Sequence, residues 1–122
     1  MISLKIFPNM KNRIINLKEI YSIRGVDFES KKLKEKIKNK ENITILDVRT
    51  SEEYNRGKID GAANIYIDDL RKNLDKLDAG SEVIIYCRSG YRAYQAFRIL
   101  KNMGFKNIKI LNGSYLSWIR KI

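Results

Sequence analysis

The run Val83-Ile84-Ile85-Tyr86 is apolar at every position and stops abruptly at Cys87-Arg88-Ser89-Gly90-Tyr91-Arg92. A strand with one face in water alternates apolar and polar residues. An unbroken run of strand length is expected where both faces are covered, as inside a parallel sheet. Parallel neighbours need long crossover connections, usually helical, and the flanking sequence supplies them. Ile43-Thr44-Ile45-Leu46-Asp47-Val48 is a second β-branched run of strand length. Thr50-Ser51-Glu52-Glu53 reads as a capping box opening a helix, with Gly57 where that helix should stop. Asp60-Gly61 marks a turn, and Ala62 to Ile65 predicts a short strand. Asp68 or Asp69 opens a helix through about Leu77, which Asp78-Ala79-Gly80 ends. After the cysteine segment, Ala93, Ala96, Phe97, Leu100 and Met103 fall on one helical stripe that stops at Gly104. Asn107 to Leu111 reads as a strand, Asn112-Gly113 as a turn and Tyr115 to Lys121 as a last helix. Strands alternating with helices predict an α/β domain with a mostly parallel sheet, and such sheets bind ligands at the carboxyl ends of their strands. Cys87 stands at one of those ends.

The first forty residues are more basic and less patterned. Asn16-Leu17-Lys18-Glu19 reads as a capping box for a short helix that Gly25 ends. Ser30 is expected to cap a second helix, with Leu33 and Ile37 on one face. A chain of 122 residues is expected to make one domain. Within it, residues 1–40 form a basic N-terminal segment packing onto a core of residues 41–122. No apolar run approaches the ~20 residues of a membrane helix. The stretch Met1 to Lys11 is a poor signal peptide, which makes the cytoplasm the expected location.

The chain carries 25 Lys and Arg against 14 Asp and Glu, a formal net charge of +11. Such a charge suits an acidic partner or small anionic substrates. No basic stretch is interleaved with stacking aromatics, however, so nucleic acid is disfavoured and a solvated lysine-rich surface, concentrated in Lys31 to Lys40, is the simpler reading.

Cys87 is the one cysteine and there is no histidine. An internal disulfide and a cysteine–histidine dyad are therefore excluded, and a zinc site is improbable. Any activation of the sulfur must come from its loop. Backbone N–H groups between a strand end and a helix start converge on a small concavity, and the helix N-terminus adds partial positive charge. A sulfur at the edge of that concavity is favoured as its anion. Arg88 and Arg92 add full charges that can also dock an anionic substrate, and Gly90 opens backbone conformations closed to other residues. The plain alternative is a small buried hydrophobe at a strand end; two arginines and a glycine ahead of a strong helix weigh against it. Loop length separates the chemistries. Four residues stand between Cys87 and Arg92, whereas cysteine phosphatase loops place one more there to encircle a tetrahedral phosphate. The smaller ring suits a terminal sulfur on the cysteine, which disfavours a phosphatase or arsenate reductase.

From about residue 43 to 119 the chain resembles the rhodanese (sulfurtransferase) family. Ile45-Leu46-Asp47-Val48-Arg49, Glu53-Tyr54, Gly57-Lys58-Ile59 and Gly61-Ala62-Ala63-Asn64-Ile65 look like its first signature. Gly104-Phe105, Leu111-Asn112-Gly113 and Trp118 look like its C-terminal one. The resemblance is to single-domain rhodaneses and, over Tyr86 to Tyr115, to the rhodanese domains of coenzyme A-disulfide reductases. It implies a three-layer α/β/α fold with a five-stranded, mostly parallel sheet. It also implies a Cys87 that cycles between thiolate and persulfide, taking sulfane sulfur from a small anionic donor such as thiosulfate and giving it to a thiol or cyanide. Arg88, Ser89, Gly90, Tyr91 and Arg92 would form the substrate site and persulfide cradle, with no metal or organic cofactor. The alternative within the family is a carrier module handing sulfur to a partner protein. Two positions depart from the pattern: Lys58 stands where the family usually has histidine, and Asn112-Gly113-Ser114 keeps one glycine of the usual two.

Asp47 and Arg49 are expected to support the site. Asp47, at the sheet's carboxyl edge, either accepts hydrogen bonds from the Cys87 loop or pairs with an arginine, and an organising role suits it because a carboxylate opposes a nearby thiolate. Arg49 is expected to pair with Glu53 and brace the first signature, or else to make only a solvated pair with it worth under about 1 kcal/mol. Arg88 is the expected substrate-binding residue. Arg92 either helps the cradle or points outward from the first helical turn. Tyr91 and Tyr94 either wall the pocket or pack as rim and core, and Trp118 is expected in the core.

Overall fold

The computed structural model describes residues 27–120. The helix expected from Asn16 to Gly25 lies outside the described residues. Among the described residues five strands form one sheet: β1 (Asp27–Phe28), β2 (Ile43–Asp47), β3 (Ala63–Asn64), β4 (Glu82–Tyr86) and β5 (Ile108–Leu111). Their order is β1-β5-β4-β2-β3, and every neighbouring pair is parallel. The helices are α1 (Ser30–Lys38), α2 (Ser51–Arg56), α3 (Tyr91–Asn102) and α4 (Ser114–Ile119), with a 3-10 segment at Ile67–Lys76. The α/β fold with a parallel sheet is the one the sequence predicts.

The apolar run of β4 is explained by its place. This strand lies between β2 and β5, and successive side chains enter opposite cores. Val83, Ile85 and Cys87 join Leu46, Ala93, Ala96, Leu100 and Ile110 on the α3 side. Ile84 and Tyr86 join Phe28, Leu33, Ile45, Ile59 and Leu111 on the other. Burial of each large aliphatic side chain contributes about 1.5–3 kcal/mol, so this strand anchors both layers.

Three local expectations are corrected. Ser30 is the first residue of α1, not its cap; Glu29 takes the N-cap position and makes no side-chain cap bond. The segment after Tyr66 is a 3-10 helix kinked at Asn73 (φ −124°, ψ 24°), because Asn73 Nδ2 donates to the Asp69 carbonyl at 2.8 Å and competes with the backbone ladder. Met103 lies beyond the last turn of α3 and is 54% exposed; Ile99 fills the stripe instead. Among the described residues, no helix is long and apolar enough to cross a membrane.

Candidate active site

The site is built where β4 runs out. The Tyr86 carbonyl still accepts the Val48 N–H at 3.1 Å, so the ladder holds the chain up to the residue before the cysteine. Beyond it the loop turns into α3. Gly90, with φ 129° and ψ −24°, takes the N-cap position, and its carbonyl accepts the Tyr94 N–H at 2.9 Å. That φ is strained for any residue with a Cβ. It turns the Gly90 N–H back toward Cys87, where it donates to Sγ at 3.0 Å. Cys87 is fully buried.

A second arm reaches the sulfur from the end of β5. Ser114 is fully buried with φ 53°, a left-handed conformation that costs a non-glycine residue about 1–2 kcal/mol. Its Oγ accepts the Cys87 N–H at 3.2 Å and lies 3.8 Å from Sγ. With that N–H donating to it, the hydroxyl proton is left to point at a sulfur anion. The Tyr115 and Leu116 N–H groups then donate to the Cys87 and Arg88 carbonyls at 2.9 and 3.1 Å. The start of α4 therefore clamps the first half of the cysteine loop. Sequence reasoning did not single out Ser114; the signal available was the departure itself, a serine where the resemblance expects a second glycine.

The charges are arranged differently from the expected pattern. Arg49 does not pair with Glu53. It folds back onto the fully buried Asp47, donating from Nε to both carboxylate oxygens at 3.1 Å, from NH2 to Oδ2 at 2.7 Å and from its backbone N–H to Oδ1 at 2.8 Å. NH2 also donates to the Gly57 carbonyl at 2.7 Å. Burial works against the Arg49 charge, yet its bonds to Asp47 outweigh that and hold its pKa above the ordinary guanidinium value. Asp47 thus meets the arginine of its two expected partners. The Arg49 guanidinium also covers the Tyr115 ring at 4.4 Å, and Tyr115 stacks on Tyr86 with centroids 6.0 Å apart. Burial raises the Tyr86 phenol, and its oxygen accepts the Ile59 N–H at 3.1 Å.

Glu53 closes the capping box at Thr50 and forks onto Arg92, with Oε1 accepting from NH1 at 2.7 Å and Oε2 from NH2 at 3.1 Å. Arg92 is therefore tied to Glu53, with about a quarter of its side chain exposed. The Glu53 hydrogen bond holds the Arg92 guanidinium above its ordinary value against the opposing effect of burial, and charge on Cys87 adds to it. Arg88, by contrast, is exposed and pairs with no carboxylate among the described residues. Ser89 is exposed beside it, and Tyr91 is 52% exposed on the rim. Tyr94 packs against the α3-side core. Trp118 is half-buried against the opposite core, with the Lys34 ammonium 5.2 Å from its ring.

A buried cysteine at the carboxyl end of an interior parallel strand, cradled at the start of a helix, puts the sulfur at the sheet edge where α/β domains bind their ligands. The chain belongs to the rhodanese-like domain family, whose description matches residues 29–121. It is 29% identical over 94 residues to a sulfurtransferase of Allochromatium vinosum, covering 77% of this chain and 88% of that one. It is 37% identical over 87 residues to YrkF of Bacillus subtilis, a protein provisionally named as a sulfur carrier; this covers 71% of the present chain but only 46% of YrkF. A crystal structure of a rhodanese-related protein from Thermoplasma volcanium superposes with a TM-score of 0.69 at 32% identity, covering 77% and 90% of the two chains. Relatives named as sulfurtransferase and sulfur carrier support a rhodanese-type role in sulfur transfer.

Proposed function

We propose that this protein is a sulfurtransferase of the thiosulfate type that carries sulfane sulfur on Cys87 as a persulfide. One observation carries the reading: Sγ accepts the Gly90 N–H at 3.0 Å at the opening of the twelve-residue helix α3, with the uncompensated charge of Arg88 next in the chain. In the first half of the cycle, the Cys87 thiolate attacks the outer sulfur of thiosulfate. A new S–S bond forms, the old one breaks, and its electron pair leaves with sulfite. In the second half, cyanide or a thiolate attacks the outer sulfur of the persulfide, and the electron pair returns to Cys87. Each half places negative charge on sulfur inside the loop, where N–H groups fixed in advance stabilise it without reorganisation. The Ser114 hydroxyl serves the same charge from the other side. Arg88 would hold the anionic donor, and the Asp47–Arg49 and Glu53–Arg92 pairs would keep the surrounding elements in register.

The test is direct. The protein is incubated with thiosulfate and its intact mass is measured; a gain of one sulfur atom is expected in the wild type and none in Cys87→Ser. A wild type that takes no sulfur from thiosulfate or any other sulfane donor ends the enzymatic reading.

The name of YrkF favours a second reading, in which the same persulfide is handed to a partner protein. The two differ in the acceptor: a carrier would load normally yet discharge slowly to cyanide and small thiols.

A further inference from the structure

Beside the cysteine loop lies an open cavity of about 280 Å3, lined by Arg56, Arg88, Tyr115, Leu116 and Ile119, and also by Arg49 and Glu53. It is attached to the sulfur site by the backbone itself, since the Tyr115 and Leu116 N–H groups hold the Cys87 and Arg88 carbonyls. Its lining mixes two characters. Leu116 and Ile119 present aliphatic surface to water, 37% and 50% exposed. Three arginines line it together with one carboxylate. Arg49 is neutralised by Asp47 and Glu53 by Arg92, which leaves the charges of Arg56 and Arg88 uncompensated among the described residues.

Thiosulfate, a compact dianion without carbon, would use the positive charge and leave the aliphatic wall wet. We infer that this cavity receives the organic arm of the acceptor, a low-molecular-weight thiol that bears an aliphatic chain and an anionic end group. The assignment rests on the sulfur-transfer reading above. The aliphatic chain lies against Leu116 and Ile119, and the anionic end is held by Arg56. The thiol end thereby faces the cysteine loop. It gives up its proton to solvent, and the thiolate attacks the outer sulfur of the Cys87 persulfide. The S–S bond to Cys87 breaks and its electron pair stays on Sγ, while the acceptor leaves as an organic persulfide. No oxidant or reductant enters, and fixing the thiol in place converts a bimolecular encounter into a step between neighbours.

The test uses the full chain, loaded on Cys87 with excess thiosulfate or inorganic polysulfide and freed of small molecules. Discharge is followed by intact mass with 6-mercaptohexanoate, 6-mercaptohexanol and cyanide. The carboxylate thiol is expected to half-saturate at a concentration roughly tenfold below that of the neutral thiol, as a charge-assisted contact would give. In Arg56→Ala this preference should disappear. In Ile119→Ser the rate with either hexyl thiol, taken as a ratio to cyanide, should fall several-fold. If the protein loads but both thiols discharge it alike, or if the variants keep the wild-type ratios, the cavity assignment is overturned while sulfur transfer stands. A substitution that slows cyanide and thiols in equal proportion also overturns it, since the residue then acts on the sulfur and not on the arm. Failure to load with every donor removes both readings together.

Discussion

Glu53 and Arg92 stand 39 positions apart in sequence and meet through two hydrogen bonds of 2.7 and 3.1 Å, tying the first turn of α2 to the first turn of α3. The same carboxylate closes the α2 capping box by accepting the Thr50 N–H at 3.0 Å. One side chain thus fixes two helix starts against each other, and the second of these is the helix that opens at the cysteine loop.

The pair makes stability depend on acid. The Arg92 hydrogen bond lowers the Glu53 pKa from 4.5 to about 2, against the opposing effect of burial. A carboxylate depressed on folding stabilises the native state above its unfolded pKa, and the contribution drains away as pH falls toward the folded value. Wild type should therefore lose about 2 kcal/mol more than Glu53→Gln between pH 5 and pH 2.5, an estimate reduced because a quarter of each side chain meets water. Urea titrations across that range check it; parallel pH profiles would show that the pair contributes nothing.

The Asp47–Arg49 pair is a sterner case, with the partners 0% and 4% exposed. Arg49→Met leaves a buried carboxylate unpaired and should cost about 3–5 kcal/mol in denaturant unfolding. Adding Asp47→Asn should recover a large part of that loss. A single variant within about 1 kcal/mol of wild type would mean that water reaches Asp47 freely.

Gly57 and Tyr115 form a third coupled pair. A Cβ on Gly57 would sit 2.6 Å from the Tyr115 hydroxyl oxygen but 3.6 Å from the nearest ring carbon. Gly57→Ala should accordingly destabilise by about 1–3 kcal/mol, and Tyr115→Phe in the same chain should rescue it. A double-mutant cycle with no coupling would refute the contact.

Ser114 separates strain from function. Ser114→Gly relaxes the positive φ and Ser114→Ala keeps it; both remove the hydroxyl from Cys87. Ala should lower stability by about 1–3 kcal/mol through the unpaired Cys87 N–H, with Gly costing less because it also relieves the backbone strain. Both should slow sulfur loading from thiosulfate to a similar degree. Unchanged loading rates in both variants would leave Ser114 a purely structural residue.

Arg88 and Lys58 offer a matched comparison of exposed cations. Lys58 lies over the Tyr54 ring at 4.8 Å, in the α2–β3 connection, and Arg88 follows the cysteine. Arg88→Ala should raise the apparent KM for thiosulfate roughly tenfold, and Lys58→Ala much less. Equal effects in steady-state kinetics would remove Arg88 from donor binding.

What could be read from sequence was whatever is encoded locally. The β4 run, the Thr50–Glu53 capping box and the Gly104 stop are statements about neighbours in the chain, and each lies where its spacing placed it. The cysteine loop was legible for the same reason. The two-residue β1 was not, because Asp27–Phe28 is a strand only through its pairing with Ile110 and Leu111. Charge partners were misread for a related reason: Glu53 is near Arg49 in sequence, but the fold brings Arg92 to it and turns Arg49 back onto Asp47. Ser114 reaches Cys87 across 27 positions, a distance closed only when β5 lies beside β4.

The position of Cys87 is also a matter of odd and even. Residues 83, 85 and 87 look toward α3, while 84 and 86 look the other way. Inserting or deleting one residue in β4 would exchange every side chain between the layers, putting the Tyr86 phenol where the sulfur belongs and the thiol under Phe28. A change of two residues would keep the face but move the sulfur about 6–7 Å along the strand, beyond the reach of Gly90 and Ser114. The chemistry of this chain therefore tolerates neither length change within that strand, whereas the exposed turn at Asp78 to Gly80 ahead of it carries no such parity.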